Sequence, residues 1–291
     1  MCYDRPVSED AEQRASPRKV DRRAPIGVFD SGLGGLTVVR AIRARAPAED
    51  LVYLGDTARV PYGTRSAKTV LSYARACARR LRECDIKLLV VACNTVSAVA
   101  LDLLAVELDI PVLGVIGPGA RAGVRATRGG RIGVLATAGT IDSGAYPRAI
   151  AGADSRAETF TQTAPLLVPL AEEGWTEGEL PTLAARRYLT PLVEARIDAL
   201  VLGCTHYPLL SDVIARELDA LAGRHVPVVD SAEATAEELT ALLATRGIAS
   251  DRAEPGRLRI LVTDVPRRFT EVAARFLGQE LSGLDVEAID L

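Results

Sequence analysis

The chain has 291 residues and carries 38 acidic and 35 basic side chains, which give a formal net charge of −3. This length suits two α/β domains, and the absence of a basic stripe argues against nucleic acid as a partner. The sequence has two histidines and three lysines, too few for a histidine-rich metal site and a poor provision for a Schiff-base lysine. We therefore predict neither a metal nor a cofactor.

The five cysteines are an odd number and lack the close spacing of a metal knuckle or a disulfide framework; they are Cys2, Cys77, Cys84, Cys93 and Cys204. Reduced thiols in a cytoplasmic protein fit this usage best, and we interpret Cys77 and Cys84 as packing residues. Residues 1–24 are polar and lack the apolar run of a signal peptide, so we predict a disordered N-terminal extension there. No stretch of the sequence reaches the length of a membrane span, so we expect no membrane partner.

The first predicted strand, Pro25–Asp30, is followed by a glycine-rich turn, Ser31–Gly35, and by a helix that begins near Leu36. Glycines let the backbone approach a ligand, and a helix start offers amide groups to an anion. Thr37 stands where the dinucleotide fingerprint requires glycine, which disfavours a dinucleotide site. Asp30 ends the strand at the sheet edge where open α/β sheets bind ligands, although a role as a turn or cap residue explains it equally well.

The next strand, Leu51–Leu54, runs into a long polar connection that contains Pro61, Tyr62 and Gly63. This connection could wrap a substrate. It could equally be an ordinary surface loop, in which case Tyr62 would have no function. A helix is predicted from Ser66 to about Cys84.

Cys93 lies where a predicted strand, Lys87–Ala92, passes into a helix whose apolar spacing runs over Ser97–Leu108. Asn94 or Thr95 could cap this helix. The unpaired amides and the dipole of a helix start favour a thiolate over a thiol, which indicates a reactive cysteine. The alternative is a small buried hydrophobic residue, because free cysteine is among the most buried residue types.

A second stretch repeats this design, with an apolar strand, Asp198–Gly203, that leads into Cys204, a hydroxyl residue and a helix. The strand Arg131–Ala136 likewise parallels the first strand of the chain. Matching residues are separated by 106, 111 and 116 positions in three pairs: Ile26 and Ile132, Cys93 and Cys204, Pro111 and Pro227. The steady offset predicts two similar α/β units. Chance similarity between ordinary parallel strands is the alternative, and the matched cysteines disfavour it.

The remaining segments complete the predicted architecture. They are a strand at Pro111–Val115 that ends at Gly117–Gly119, an irregular segment near the site at Thr163–Gly174, a strand at Val226–Asp230 with a helix to Thr245, a strand at Leu258–Val262 and a helix at Val265–Leu277. The last two elements have no counterpart after the first unit and could return to complete its sheet.

We therefore predict an α/β fold of two similar domains, each with a mostly parallel sheet flanked by helices. The domains would be related by a pseudo-twofold axis, with the active site in the cleft between them. The first domain would comprise residues 25–120 and 233–291, and the second residues 121–232.

Two thiols on opposite walls of such a cleft suit the removal of a proton from one face of a carbon and its replacement on the other. One sulfur must then be a thiolate and the other a thiol, and they exchange roles in the reverse reaction. A cysteine hydrolase pairs one cysteine with a histidine. Cys204 and His206 could form such a pair, but Cys93 would then be unexplained. Donors that could stabilise the developing negative charge are Ser31, Asn94, Thr95 and Thr205.

These motifs resemble those of the bacterial glutamate racemases, in four segments: Gly27–Val38, Pro61–Gly63, Ala92–Thr95 and Gly203–Pro208. The likeness runs from about Ile26 to the C-terminal region. The cysteine pair alone marks the wider superfamily of cofactor-independent amino-acid racemases. His206 after the second Cys-Thr resembles the glutamate branch, since aspartate racemases tend to carry an acidic residue there. One departure lies before Pro165, where relatives often have a further cysteine and this chain has Ala164.

The resemblance implies interconversion of L- and D-glutamate without metal or pyridoxal phosphate, which supplies D-glutamate for peptidoglycan. It implies that Cys93 acts on the D-enantiomer and Cys204 on the L-enantiomer, assisted by Asp30 and His206. The implied substrate-binding residues are Asp30, Ser31, Pro61, Tyr62, Gly63, Asn94, Thr95, Thr140, Thr205 and His206, and the acidic residues Asp56 and Glu172 match positions of less defined role. We expect a homodimer.

Two rival functions remain open from the sequence. One is a racemase of another substrate, or a related decarboxylase that uses one of the two cysteines. The other is a non-catalytic two-domain protein that binds an acidic metabolite or regulates a partner protein, although binding alone does not require two thiols.

Overall fold

The computed structural model describes residues 20–265 and 269–291, in which two parallel β-sheets are flanked by helices. The strands are β1 (Ile26–Asp30), β2 (Leu51–Gly55), β3 (Leu88–Val91), β4 (Val112–Gly114), β5 (Arg131–Ala136), β6 (Glu158–Thr163), β7 (Ala199–Gly203), β8 (Val228–Asp230), β9 (Leu258–Val262) and β10 (Asp285–Ala288). The α-helices are α1 (Leu36–Arg45), α2 (Ala67–Arg82), α3 (Asn94–Glu107), α4 (Ile116–Ala126), α5 (Ala138–Asp142), α6 (Ala145–Ala153), α7 (Leu167–Glu173), α8 (Glu179–Glu194), α9 (Ser211–Ala222), α10 (Ser231–Thr245) and α11 (Phe269–Leu277). None of these helices combines the length and the apolar character that crossing a bilayer requires.

The two sheets share one strand arrangement. The first sheet has the order β10-β9-β2-β1-β3-β4, and the second has the order β6-β5-β7-β8. The run β2-β1-β3-β4 therefore recurs as β6-β5-β7-β8, with parallel pairing throughout. We call each sheet with its flanking helices a unit. The predicted fold class, two similar α/β units with parallel sheets, is confirmed.

The central strands are apolar because helices cover both faces of each sheet. Every residue of β1, β3 and β7 is buried. The last two strands of the chain return to the first sheet, where β9 pairs with β2 and β10 forms the edge. The first sheet thus draws on residues 26–114 and 258–288, and the second on residues 131–230. The predicted domain limits themselves stay a prediction.

One hydrophobic core extends across both units. It contains Val28 and Val90 from the first sheet, Leu202 from the second, and Leu239 from α10. The opposite faces of the two sheets have separate clusters, one beneath α2 and α3 and the other beneath α4 and α6. Because α10 packs on both α1 and α4, it joins the two units.

Two segments differ from the sequence-based prediction. The segment Thr163–Gly174, predicted to be irregular, contains helix α7 (Leu167–Glu173), so that part of the prediction is wrong. Pro169 lies in the first turn of α7, where its missing amide costs no helical hydrogen bond. In the same way Pro118 lies in the first turn of α4, so residues 117–119 belong to a helix rather than to the end of a strand.

The start of the described chain is held by a buried ion pair. The Lys87 ammonium contacts Glu49, and these side chains are 0% and 4% exposed. Lys87 Nζ also donates to Arg22 O over 2.6 Å, and Glu49 Oε1 accepts from the Ser250 amide over 2.7 Å. Residues 20–24 therefore form a turn fixed against the protein, while residues 1–19 of the predicted extension, with Cys2, lie outside the described residues.

Removal of one partner of this pair should destabilise the fold strongly. The Glu49→Ala variant should lower the free energy of unfolding by about 3–5 kcal/mol, because the Lys87 ammonium stays buried without its counter-charge. Urea denaturation measures the change. The double variant Lys87→Met/Glu49→Leu should regain much of the loss. As a control, Glu233→Ala breaks the half-exposed pair with Arg45 and should cost no more than about 1 kcal/mol. Equal losses in Glu49→Ala and Glu233→Ala would contradict the prediction.

Candidate active site

The carboxyl ends of the central strands of both sheets open into one cavity of about 300 Å³. In each sheet the chain reverses its direction of winding between two neighbouring strands, β1 and β3 in the first sheet and β5 and β7 in the second. Open α/β sheets bind ligands at such a point. The first unit contributes Ser31, Gly32, Val60, Pro61, Tyr62, Gly63, Thr64, Cys93, Asn94 and Thr95 to the lining. The second unit contributes Thr137, Ala138, Pro165, Val168, Pro169, Glu172, Cys204, Thr205 and His206.

Both predicted cysteines line this cavity, one from each unit. Cys93 follows β3 and Cys204 follows β7, and each side chain is 6% exposed. The Cys93 thiol donates to Ser31 Oγ over 3.3 Å. Charge on the Cys204 sulfur contributes to the raised pKa of Cys93, so the two sulfurs are close enough to influence each other. A simultaneous negative charge on both is therefore disfavoured.

Burial raises the pKa of the Cys93 thiol to about 12, and the charge on Asp30 adds to the effect. The hydroxyl of Ser31 and the Val96 amide at the helix start act in the opposite direction. Cys93 itself occupies the N-cap position of α3, and neither Asn94 nor Thr95 caps the helix through its side chain. Burial therefore outweighs the helix start, so the pKa of Cys93 is raised where the sequence pattern favours a lowered one.

His206 lies between Cys204 and Glu172. Its Nδ1 is 3.8 Å from Cys204 Sγ, and its Nε2 is 3.1 Å from Glu172 Oε1. Burial by itself lowers the pKa of His206, but the hydrogen bonds to Cys204 and Glu172 outweigh burial and raise the pKa to about 10. The Phe276 ring packs against the imidazole in a T-shaped arrangement, with the ring centroids 5.0 Å apart. At neutral pH the second unit therefore places an imidazolium beside its cysteine.

Asp30 lies behind the cavity rather than in its wall. The carboxylate is 1% exposed, and Oδ2 accepts from the Gly32 amide over 3.0 Å. Its other oxygen, Oδ1, has no hydrogen-bond partner among the described residues. Asp30 therefore acts on Cys93 through its charge, which raises the pKa of that thiol.

The glycine-rich turn after β1 makes room for the other unit. A side chain at Gly34 would bring its Cβ to 2.5 Å from two atoms of the His206 ring, Cε1 and Nδ1. The Thr37 hydroxyl lies 2.9 Å from the Gly34 carbonyl and 3.0 Å from the Thr205 carbonyl, so its hydrogen is shared between its own turn and the other unit. The turn thus serves contact between the units, and within it only Ser31 and Gly32 reach the cavity.

Three threonine hydroxyls connect the units on another wall of the site. Thr95 Oγ1 lies 3.2 Å from Thr137 Oγ1 and 3.3 Å from Thr140 Oγ1. Thr95 and Thr137 line the cavity, whereas Thr140 is 1% exposed and supports them from behind. Hydroxyl groups can donate or accept, so this cluster can bind a polar group of a ligand.

The connection after β2 covers the cavity with Val60–Gly63, so it is not an ordinary surface loop. The Tyr62 hydroxyl donates to Asp56, a buried residue that does not line the cavity. Asp56 Oδ1 also accepts from the Thr263 hydroxyl over 2.8 Å. Asp56 therefore holds Tyr62 in place from outside the cavity.

Several lining residues were not identified from the sequence. Thr137 could have been found, because in the duplicated pattern it occupies the position of Ser31. Val60, Val168 and Pro169 carry no such signal, since isolated apolar residues in connecting segments have no distinctive pattern. No group of three or more metal-ligating side chains occurs in residues 20–265 and 269–291.

Comparison with known proteins shows the relationships of the chain. A family described as Asp/Glu/Hydantoin racemase matches residues 26–239. The glutamate racemase of Geobacter metallireducens is 51% identical over 266 residues, which cover 91% of this chain and 96% of that protein. The crystal structure of glutamate racemase isoform RacE1 from Bacillus anthracis has a TM-score of 0.87 and 40% identity, and covers 93% of this chain and 98% of its own. The Francisella tularensis glutamate racemase, crystallised with D-glutamate, has a TM-score of 0.84 and 36% identity, over 92% of this chain and 98% of its own.

The protonation of His206 can be tested by NMR titration of ¹⁵N-histidine-labelled protein. We expect the imidazole to remain doubly protonated until the pH approaches about 10, the raised pKa of His206. The charge should stabilise the fold fully below pH 6.5, the ordinary pKa of histidine, and this contribution should be lost as the pH rises through about 10.

A substitution at Glu172 tests the cause of the raised pKa of His206. The Glu172→Gln variant should lower the pKa of His206, because it removes the charge that Glu172 contributes. The chain has two histidines, so the His225→Gln variant assigns the signal. A midpoint for His206 near 6.5 in the unsubstituted protein would show that the described arrangement of Glu172, His206 and Cys204 does not hold in solution.

Proposed function

The chain belongs to the glutamate racemase family within the Asp/Glu/Hydantoin racemases, and we propose that it interconverts L- and D-glutamate by proton transfer through Cys93 and Cys204. One observation carries the proposal: two buried cysteines, at matching turns of two similar units, line the same cavity. Its volume of about 300 Å³ is at the small end of ligand sites and suits an amino acid.

The enantiomer on which each cysteine acts is the one that the resemblance to the glutamate racemases implies. With His206 protonated beside it, Cys204 is the cysteine whose thiolate is balanced by a positive charge. The Cys204 thiolate removes the α-proton of L-glutamate and becomes a thiol. The Cys93 thiol gives its proton to the opposite face of the carbon, becomes a thiolate and leaves D-glutamate. The reverse reaction exchanges these roles, so Cys93 acts on the D-enantiomer.

The raised pKa of Cys93 has a use in this scheme. A thiol with a pKa of about 12 is a weak acid, but its thiolate is a correspondingly stronger base. With a stronger base, the difference in pKa between the thiol and the α-proton of glutamate is smaller, although that proton is far less acidic than any thiol. Asp30 contributes to this effect from behind Cys93.

The carbanion-like transition state also needs donors fixed in position. Ser31, Asn94, Thr95 and Thr205 line the cavity and offer hydroxyl or amide hydrogens. Because such donors are already in place when charge develops, they stabilise it without reorganisation. Pro61, Tyr62 and Gly63 complete the wall and exclude water, while Thr140 supports the threonine cluster.

The family resemblance implies a biological setting. We propose that the protein supplies D-glutamate for peptidoglycan, works in the cytoplasm as a homodimer and requires neither metal nor pyridoxal phosphate. Its partner is the small-molecule substrate, and neither nucleic acid nor a membrane is required. The domains at residues 25–120 with 233–291, and at 121–232, would form the two walls of the site.

Isotope exchange tests the reaction. Purified protein incubated with L-glutamate in deuterium oxide should racemise it and incorporate deuterium at the α-carbon, as followed by circular dichroism and NMR. A panel of other amino acids and malonates should give no comparable turnover. Folded protein that exchanges no α-proton of glutamate would refute the proposal, and tight calorimetric binding without exchange would identify a binding protein instead.

Single substitutions test the division of roles. Cys93→Ala and Cys204→Ala should each lower racemisation at least about 10²–10⁴-fold, since each removes one of two acid–base groups. Any residual exchange should occur with L-glutamate in Cys93→Ala and with D-glutamate in Cys204→Ala. Cys84→Ala, at a free cysteine outside the cavity, is the control and should keep full activity. Undiminished racemisation by either cavity variant would exclude the two-base scheme.

A further inference from the structure

A buried tyrosine of the second unit reaches across to the first. Tyr146 lies on α6, is 1% exposed and does not line the cavity. Its hydroxyl donates to Oδ1 of Asn94 over 2.8 Å. Asn94 is the first residue of α3, directly after Cys93, and it does line the cavity.

The tyrosine ring is fixed between two glycines. An added Cβ at Gly203, the residue before Cys204, would lie 2.9 Å from Cε2 of Tyr146. An added Cβ at Gly119 would lie 3.2 Å from the Tyr146 hydroxyl oxygen. Any larger residue at either position would therefore displace the ring or its hydroxyl. The hydroxyl consequently has one well-defined position opposite the Asn94 amide.

The Asn94 amide has a second end without a partner. Its Nδ2 is buried and has no hydrogen-bond partner among the described residues. An asparagine amide can rotate by half a turn and present either its oxygen or its NH₂ group. In the structure the Tyr146 hydroxyl donates to Oδ1, and this orientation of the amide leaves its NH₂ group for a ligand. A carboxylate, which only accepts hydrogen bonds, needs that orientation.

We infer that Tyr146 is a positioning residue, which holds the Asn94 amide with its NH₂ group toward a carboxylate of the substrate. The inference rests on the proposed function, because the substrate it assumes is an amino acid. It means that the second unit sets the orientation of a substrate-binding group carried by the first. Burial raises the pKa of the Tyr146 hydroxyl above its ordinary value, so the hydroxyl stays a donor at any working pH.

The Tyr146→Phe variant tests this role, since it removes the hydroxyl and keeps the ring. KM for both enantiomers should rise about tenfold, the cost of losing an oriented hydrogen bond to a charged group, with little change in kcat. Because the enantiomers have equal free energy, kcat/KM must fall by the same factor in both directions, which checks the data. Tyr188→Phe is the matched control, because it removes a tyrosine hydroxyl that accepts from the Leu166 amide and does not line the cavity. This variant should leave KM unchanged.

A double-mutant cycle distinguishes positioning from a general loss of structure. In an Asn94→Ala background, Tyr146→Phe should have no further effect on KM, because the group it orients is gone. The same tenfold effect in both backgrounds, or an unchanged KM in the single variant, would overturn the inference. If Tyr146→Phe does not fold, Gly119→Ala replaces it and should raise KM in the same Asn94-dependent way.

The experiments distinguish failure of this inference from failure of the proposed function. If the unsubstituted protein neither racemises nor binds glutamate, the proposed function fails and the inference fails with it. If the unsubstituted protein racemises glutamate and the cycle shows no coupling between Tyr146 and Asn94, only the inference fails. Calorimetric Kd values for glutamate, measured for the same four proteins, should follow the KM values.

Discussion

The site depends on the close approach of the first unit's glycine-rich turn to the Cys-Thr-His turn of the second. At Gly34 there is no room for a side chain, because the ring of His206 occupies the space. The Thr37 hydroxyl lies within hydrogen-bond distance of the Thr205 carbonyl at the same contact. Since both turns lie at the carboxyl ends of central strands, this contact brings the two cysteines to one cavity. A glycine pattern that suggests ligand binding thus serves the assembly of two halves.

The duplicated fold carries charges that are not duplicated. Where the first unit has Asp30 at the end of its central strand, the second has Ala136; where the second has His206, two residues after its cysteine, the first has Thr95. A carboxylate therefore stands behind one sulfur and an imidazolium beside the other. These differences raise the pKa of Cys93 and keep a proton on His206. The two cysteines of the cavity therefore lie in different electrostatic surroundings, although the turns that carry them repeat.

The sequence predicts the parts of this protein that are duplicated and the strands that are continuous apolar runs. The strands ending at Asp30, Ala136 and Gly203 were found because buried parallel strands are continuous apolar runs, and the duplication followed from the matched cysteines. The edge strands β6 and β10 were not predicted, since they are partly exposed and lack such runs. At the site, polar residues in motifs were identified, but the protonation of Cys93 was not. Burial decides that protonation, and burial depends on contacts between residues far apart in the chain.

The core that crosses both sheets has a thermodynamic consequence. Because α10 packs on both α1 and α4, unfolding of either half exposes apolar surface on the other. The two halves are therefore a single cooperative system, although each has its own parallel sheet. The cavity is therefore bordered by two surfaces that are anchored in one interior, so its shape is tied to the stability of the whole fold.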